Sequence, residues 1–340
     1  MKNLINRATE YLANQGFEKK QILAVLLFFI FGWAGSYVYC NRISTADLPV
    51  SIRQNSPEFK YINPLLFIDN SKEDFSEYEP LEKQMREYID NAEKEGTASK
   101  VSVYFRDLNT SRWGGINERE LYAPSSMLKV AVLMSYLRLA EKDPEILDKK
   151  VWYEKSDRYG EYYKPEHELG NGYHTIRELL QYMIVDSDNS SMSTLVAHKS
   201  KDIVNIYKDL RLPDLLEGPD DFMSAESYSY LFRTLYNATY LRRTYSEEAL
   251  RLLTHTTFDK GIVSGVKAST TVAHKFGEHT ETLNGKVVER QLHDCGIIYS
   301  EKSPYLLCIM TKGDDFPALE QVIADISKMV YTFTQDPKNF

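Results

Sequence analysis

The chain has 340 residues, and its 41 Lys and Arg against 49 Asp and Glu give a formal net charge of -8. This acidic balance argues against a nucleic-acid-binding protein, in which basic residues form a patch or stripe on one face. With 43% hydrophobic and 26% charged residues, the composition is that of an ordinary globular protein, long enough for one large domain or two smaller ones.

The first predicted element is a membrane-spanning helix. The segment ILAVLLFFIFGWAGSYVY, residues 22–39, has no charged side chain and is long enough to cross a bilayer core. Four basic residues precede it: Lys2, Arg7, Lys19 and Lys20. Because positive flanks stay in the cytoplasm, we expect residues 1–21 there, an uncleaved anchor over 22–40, and the rest of the chain outside the membrane. A signal peptide cleaved after Ser36 is the alternative.

Residues 41–78 are predicted to be a linker between the membrane and a folded domain. They mix Pro, Asn, Ser and acidic residues with a single short apolar stretch at 62–68. From residue 79 onward the sequence shows the periodicities of helices and strands, and one domain is predicted over 79–340.

The predicted domain begins and ends with strands and has helices between them. Its first part contains a helix over 80–94, strands over 100–106 and 113–117, and a helix over 125–140. The part from 140 to 255 is mostly helical, and its helix over 174–185 opens with a capping box, Thr175-Ile176-Arg177-Glu178. Strands return at 271–276, 294–300 and 305–311, before a helix over 317–334. This order predicts one sheet built from distant segments, with a helical lobe inserted.

The three cysteines are too few for a disulfide scaffold or a thiolate metal cage. Cys295 and Cys308 lie in apolar, strand-like runs. Since cysteine is among the most frequently buried residue types, two buried free thiols are the favoured interpretation, and a disulfide between them is the alternative.

Lys129 is the single charge in the apolar segment PSSMLKVAVLMSYL, residues 124–137. Lysine is almost never fully buried unless it is paired, and burial lowers its pKa so that it can act as a base. Ser126 lies three residues earlier, on the same face of a helix. A serine beside such a base is a candidate nucleophile. A Ser-x-x-Lys pair is expected about once by chance in a chain of this length, so it carries little weight alone.

Two further stretches strengthen the interpretation of Ser126 and Lys129 as a catalytic pair. Ser187-Asp188-Asn189 lies between two predicted helices, and Lys275-Phe276-Gly277 ends a predicted strand. Ser-x-x-Lys, Ser-Asp-Asn and Lys-x-Gly, in this order, form the signature of serine β-lactamases and penicillin-binding proteins. On these motifs, residues 79–339 resemble the class A β-lactamase-like serine hydrolases. The sequence contains no G-x-S-x-G elbow, H-E-x-x-H motif or phosphate-binding P-loop.

The resemblance implies an α/β (α+β) fold, with an antiparallel sheet flanked by helices and an all-helical lobe, and it implies roles for individual residues. Ser126 would attack a substrate carbonyl, and Lys129 would take its proton. Ser187 would pass a proton to the leaving nitrogen, and Asn189 would hold the amide of the substrate. Lys275 would face the carboxylate of the substrate.

The resemblance completes the site with residues that contact the substrate. The backbone N–H groups of Ser126 and Glu278 would form the oxyanion hole, next to Gly277 of the Lys-x-Gly motif. Tyr163 resembles the aromatic wall beside the pocket, and Asp188 is expected to cap its loop. No cofactor and no metal are implied.

Two departures from the family pattern argue against an efficient β-lactamase. In class A β-lactamases, a glutamate in an E-x-x-x-N loop activates the water that releases the acyl group, but residues 210–227 contain no such motif. Asp214 and Glu217 lie there, and acidic residues in turns are usually solvated. Phe276 stands where the family has Thr or Ser, and a phenyl ring cannot donate a hydrogen bond to a carboxylate.

The sequence therefore predicts a single-pass membrane protein whose extracytoplasmic domain is a serine acyl-transfer hydrolase. Its expected partner is a small-molecule or peptide substrate, a β-lactam or a cell-wall stem peptide ending in D-alanine, and no nucleic acid. The alternative is a penicillin-binding, sensing or scaffold domain without turnover. The chain retains the five motif side chains to which the resemblance assigns roles in the reaction, and this favours an enzyme over a scaffold. They are Ser126, Lys129, Ser187, Asn189 and Lys275.

Overall fold

The computed structural model describes the chain over residues 51–53, 57–68, 78–156, 160–165, 167–210, 212 and 222–336. The predicted span at 22–39 and the acidic residues Asp214 and Glu217 lie outside these ranges. Within them, no helix has the length and apolar character needed to span a membrane. All described residues belong to one compact unit, Ser51–Phe340.

The described elements include every helix and strand predicted from residue 79 onward, in the predicted order, together with four short strands that were not predicted. In chain order they are β1 (Ser51–Arg53), β2 (Leu65–Ile68), α1 (Glu79–Glu95), β3 (Lys100–Asp107), β4 (Trp113–Ile116), α2 (Lys129–Ala140), β5 (Lys150–Tyr153), β6 (Gly172–Thr175), α3 (Ile176–Val185), α4 (Asn189–Asp209), α5 (Ala225–Tyr236), α6 (Arg243–Leu253), β7 (Thr271–Leu283), β8 (Lys286–Tyr299), β9 (Tyr305–Gly313) and α7 (Phe316–Gln335).

A five-stranded antiparallel sheet, in the order β4-β3-β9-β8-β7, forms the centre of the unit. All residues of β9 from Tyr305 to Thr311 are buried, as expected for a strand covered on both faces. The apolar sides of α1 and α7 pack on one face, and α5 packs on the other. The predicted antiparallel sheet flanked by helices is confirmed, and β7 is an edge strand whose outer edge faces the inserted lobe.

The lobe between β4 and β7 is built around α2, in which all residues except Arg138 and Leu139 are buried. The capping box at the start of α3 is confirmed, because Thr175 Oγ1 accepts the backbone N–H of Glu178 and the Glu178 side chain accepts that of Thr175. The expectation of an all-helical lobe is wrong. Strands β5 and β6 form an antiparallel ribbon within it, and four-residue strands are too short to give a clear alternation.

The β7–β8 hairpin is longer than predicted. The strands expected over 271–276 and 294–300 are its inner halves, and both continue outward to a turn at Asn284-Gly285. These two residues have φ of 52° and 76°, the left-handed values that a two-residue hairpin turn requires. Residues 281–288 are exposed on both faces, so their sequence lacks the alternation of a half-buried strand.

Part of the predicted linker packs on the domain. Ile62 is buried in the main core, and β2 pairs with β1. The carboxylate of Glu247 accepts the backbone N–H groups of Lys60, Tyr61 and Ile62 at 2.7, 2.8 and 3.0 Å. One acidic side chain on α6 therefore fixes this stretch of the linker.

The expectation of two free thiols is wrong. Cys295 on β8 and Cys308 on β9 are opposite each other in the strand register, with Cα atoms 4.0 Å apart, and they form a disulfide. Both strands are apolar, so their sequence predicts that the two cysteines are buried but does not predict that they are bonded. Their pairing depends on the register, which the sequence does not show.

Candidate active site

Ser126 and Lys129 lie at the start of α2. Ser126 belongs to a 3-10 turn, Ser125–Leu128, that leads directly into this helix. The Nζ of Lys129 donates a hydrogen bond to Oγ of Ser126 over 2.9 Å. Ser125 has a φ of 47°, which is uncommon for a residue with a side chain, so the backbone bends sharply where it presents Ser126.

Ser187 connects the two motif lysines. Its Oγ accepts a hydrogen bond from Nζ of Lys129 at 3.0 Å and from Nζ of Lys275 at 2.9 Å. The Ser187 carbonyl accepts a second bond from Lys129 at 2.6 Å. Lys275 also donates to the carbonyl of Phe276 at 3.1 Å. A continuous path of hydrogen bonds therefore runs from Ser126 to β7.

Asn189 and Asp188 have different places in this network. Asn189 Oδ1 accepts a hydrogen bond from Nζ of Lys129 at 2.7 Å, so its side chain belongs to the same hydrogen-bond network. Asp188 caps α4, because its carboxylate accepts the backbone N–H groups of Ser190 and Ser191 at 3.1 and 2.8 Å. The structural role expected for Asp188 matches this geometry.

Both lysines are fully buried, and burial lowers their pKa because it disfavours the charged form. The pKa of Lys129 falls to about 7, although the charges of Asp188 and Glu278 act in the opposite direction. Burial lowers the pKa of Lys275 well below its usual value, and the charge of Lys129 lowers it further. A buried lysine whose pKa is near 7 is partly neutral at physiological pH, and the lone pair of its neutral amine can accept the proton of a serine.

The backbone of β7 faces Ser126 across the cleft. The carbonyl of His274 accepts the hydroxyl of Thr256 at 3.0 Å, so it points to the outer edge of the strand. Backbone groups alternate between the two edges, and those of Glu278, four residues on, point the same way. A Cβ on Gly277 would lie 2.6 Å from the carbonyl of Pro124, which shows how closely β7 approaches the 3-10 turn. The resemblance assigns the backbone N–H groups of Ser126 and Glu278 to the oxyanion hole. These groups lie on the 3-10 turn and on β7, the two elements that approach each other here.

Residues 160–165, called the strap below, lie against β7 beside the cleft. The Glu278 carboxylate accepts the backbone N–H groups of Tyr162 at 2.7 Å and Tyr163 at 3.2 Å. Glu161 adds an ion pair with Arg290 at 2.7 Å. The strap is therefore fixed to β7 through its backbone and to β8 through the side chain of Glu161.

Tyr163 contributes an aromatic wall, on the β7 side of the cleft. Its ring meets that of Phe276 edge to face, with centroids 4.7 Å apart, and its hydroxyl bonds to Oγ1 of Thr257. Phe276 also stacks on Phe258 at 4.2 Å. Sequence reasoning identified Tyr163 and Phe276 but missed Phe258, and it treated Glu278 only as a source of a backbone N–H.

These residues enclose a cleft of about 230 Å³. Its lining residues include Ser125, Ser126, Gly160, Tyr163, Pro165, Ser187, Asp188, Asn189, Met192, Phe276 and Glu278. A second groove of about 700 Å³ shares Asn189 and Met192 with it and continues along α4 towards the exposed Trp152. His274 is buried and bonds to Asp294 at 2.8 Å, so its ring is part of the core.

Comparisons with known proteins identify the family and the fold of this chain. A family profile described as the Beta-lactamase enzyme family matches residues 80–334. A comparison with curated proteins finds no sequence match. Among solved structures, the TLA-3 extended-spectrum β-lactamase superposes with a TM-score of 0.64 at 20% identity, over 75% of this chain and 99% of that one.

Two structures of PBP-A are also similar. The first superposes with a TM-score of 0.62 at 16% identity, over 75% of this chain and 96% of PBP-A. The second, a point mutant in an acyl-enzyme complex with penicillin G, gives 0.61 at 15% identity over the same shares. At these identities the superpositions establish the fold, while the profile covers three quarters of the sequence. The chain belongs to the β-lactamase enzyme family.

Proposed function

We propose that this chain is a serine acyl-transfer hydrolase that works through an acyl-enzyme on Ser126. The observation that supports this best is the 2.9 Å contact between Nζ of the buried Lys129 and Oγ of Ser126, across which a neutral amine can accept the hydroxyl proton, in a network that includes Ser187 and Lys275. A nucleophile, a base of suitable pKa and a proton relay are together what acyl transfer to serine requires.

In the proposed reaction, Ser126 Oγ attacks the carbonyl carbon of the substrate while its proton passes to Nζ of Lys129. The N–H groups of Ser126 and Glu278 stabilise the negative oxygen that forms. The bond from the carbonyl carbon to the leaving group then breaks, and the leaving group takes a proton through Ser187. The products of this half are an ester on Ser126 and a protonated leaving group.

The second half releases the acyl group to water, and we propose that it is slow. Residues 210–227 contain no E-x-x-x-N, so the sequence lacks the usual base for the attacking water at its usual position. Loss of a positioned base typically costs ~10²- to 10⁴-fold in rate. If release is slow enough, the protein acts as the alternative, a penicillin-binding or sensing domain that stays acylated.

The substrates we propose are β-lactams or D-alanyl cell-wall peptides. The family match supports this class, and a PBP-A mutant of similar fold forms an acyl-enzyme with penicillin G. We also propose that the uncharged segment at 22–39 anchors the protein, with its catalytic domain outside the cytoplasmic membrane. Protease treatment of intact cells tests the anchor, because residues 41–340 should be accessible to the protease from outside and a cleaved, secreted form should be missing.

Pre-steady-state kinetics with a fluorescent penicillin test the proposed function. The full chain in detergent should bind up to one equivalent of label covalently and lose it slowly after excess probe is removed. Glu217→Gln should change the release rate little. Rapid turnover without a burst, lost in Glu217→Gln, would instead show an efficient β-lactamase. Complete failure of Ser126 to be labelled, both by this probe and by a fluorophosphonate that would phosphonylate it with loss of fluoride, would overturn the proposal.

A further inference from the structure

An aromatic cluster occupies the side of the cleft next to the Lys-x-Gly motif. Its members are Phe276, Phe258 and Tyr163, with ring centroids 4.2 Å apart between the first two and 4.7 Å between Phe276 and Tyr163. The ring of Phe276 also lies 4.1 Å from Nζ of Lys275. The cluster therefore covers the amine that the family resemblance assigns to a substrate carboxylate.

The polar groups at this side of the cleft are already engaged. Nζ of Lys275 donates to Ser187 Oγ and to the Phe276 carbonyl, and Lys275 has no exposed surface. Thr280, farther along β7, carries a hydroxyl that could replace the missing motif hydroxyl, but it donates to Glu161 at 2.6 Å. Lys275 is thus covered by the Phe276 ring and has no surface that a substrate carboxylate could contact, and the Thr280 hydroxyl is engaged by Glu161.

The charge at the mouth of the cleft has the wrong sign for a carboxylate. Among the described residues that line it, the charged ones are Asp188 and Glu278, and both are acidic. Glu278 accepts two backbone N–H groups of the strap, which fixes its carboxylate beside the cluster. A carboxylate brought here would meet an apolar surface and an acidic side chain, and burial already raises the pKa of Glu278, so this part of the cleft disfavours a further negative charge.

We infer, on the basis of the function proposed above, that the physiological acyl donor of this site has a leaving group without a carboxylate. Apolar or uncharged leaving groups fit the aromatic cluster. For a cell-wall peptide, this favours cleavage at an internal D-alanyl bond, where the carboxyl of the leaving residue is in an amide, over removal of a terminal D-alanine. The chemistry is unchanged: the Ser126 ester forms, and the leaving group departs with the proton supplied through Ser187.

Two matched esters test this inference. Full-length protein is mixed with 4-nitrophenyl phenylacetate or 3-carboxy-4-nitrophenyl phenylacetate, whose leaving groups differ by one carboxylate. The acylation rate constant is read from the chromophore burst, assigned to Ser126 by peptide mass mapping, and divided by the spontaneous hydrolysis rate of each ester. We expect the neutral ester to react faster by roughly tenfold to a hundredfold, because the carboxylate finds no partner.

Variants at Phe276 test whether the cluster causes the preference. Phe276→Thr should shift the ratio towards the carboxylated ester by about tenfold, while Phe276→Leu, which stays apolar, should keep it. Circular dichroism checks the fold of each variant, and the wild-type ratio decides the matter if Phe276→Thr does not fold. If the carboxylated ester reacts with wild-type Ser126 as fast as the neutral ester or faster, this inference is overturned while the proposed function stands. If neither ester acylates Ser126, the proposed function fails and the inference fails with it.

Discussion

The Nζ of Lys129 lies 2.9 Å from Oγ of Ser126, and the lysine reaches this position without any exposed surface. The apolar character of α2 therefore has a chemical consequence as well as a structural one. Because the helix buries the lysine, its pKa falls to about 7, where a substantial fraction of the amine is neutral and able to accept a proton.

Acylation should depend on pH through Lys129. Below about pH 7 the amine is protonated and cannot accept the Ser126 proton, so the rate should rise with pH through about 7 and level off above it. The burst rate with a neutral aryl ester, corrected for spontaneous hydrolysis, measures this profile. Lys129→Ala should be slow and lose the inflection. A wild-type profile with its inflection near the ordinary lysine pKa would contradict the role of burial.

Removal of the Ser187 hydroxyl should slow acylation while leaving the fold intact. Ser187→Ala breaks the connection between Lys129 and Lys275, and loss of a proton relay typically costs ~10²- to 10⁴-fold. Ser193→Ala is a matched control, because its exposed hydroxyl bonds to the carbonyl of Asn189 within α4. Burst kinetics and circular dichroism compare the two. Equal rates in both variants would remove Ser187 from the mechanism.

The strap should loosen when its anchor is removed. In Glu278→Ala the backbone N–H groups of Tyr162 and Tyr163 lose a carboxylate acceptor, and two charge-assisted hydrogen bonds are lost. Amide exchange at these positions should accelerate by on the order of tenfold or more. The Glu178 amide, bonded to Thr175, serves as an internal control. Unchanged exchange at Tyr162 would show that other contacts hold the strap.

The disulfide between Cys295 and Cys308 should be detectable in a non-reduced digest. A peptide from β8 should be recovered joined to a peptide from β9, and reduction should separate them. Replacing both cysteines with Ala should lower the free energy of unfolding by about 3 kcal/mol, the usual value for a loop of about this length. Recovery of both cysteines in alkylated form without prior reduction would contradict the bridge.

Much of the site was predictable because it rests on local rules. The three-residue spacing of Ser126 and Lys129 places both on one helical face, and the capping box fixed the start of α3. The Asn284-Gly285 pair is typical of a two-residue hairpin turn, but the residues around it are exposed and do not alternate, so the sequence did not lead us to predict the outer part of the β7–β8 hairpin.

The remaining features depend on which distant segments meet. Phe258 stacks on Phe276 because the segment after α6 returns to β7, and no local pattern indicates that contact. The Glu278 side chain holds a strap more than a hundred residues earlier in the chain, and the two cysteines pair only through the register of β8 and β9. Such contacts are set by tertiary packing, which periodicity does not encode.

Peptide mass mapping after reaction with a fluorophosphonate tests the identity of the nucleophile most directly. This probe carries no carboxylate, so the aromatic cluster should not exclude it. We expect one adduct per chain, on Ser126, lost in Ser126→Ala and retained in Ser125→Ala, the neighbouring serine that also lines the cleft. An adduct that persists in Ser126→Ala, or that maps to another residue in the wild type, would contradict the proposed mechanism.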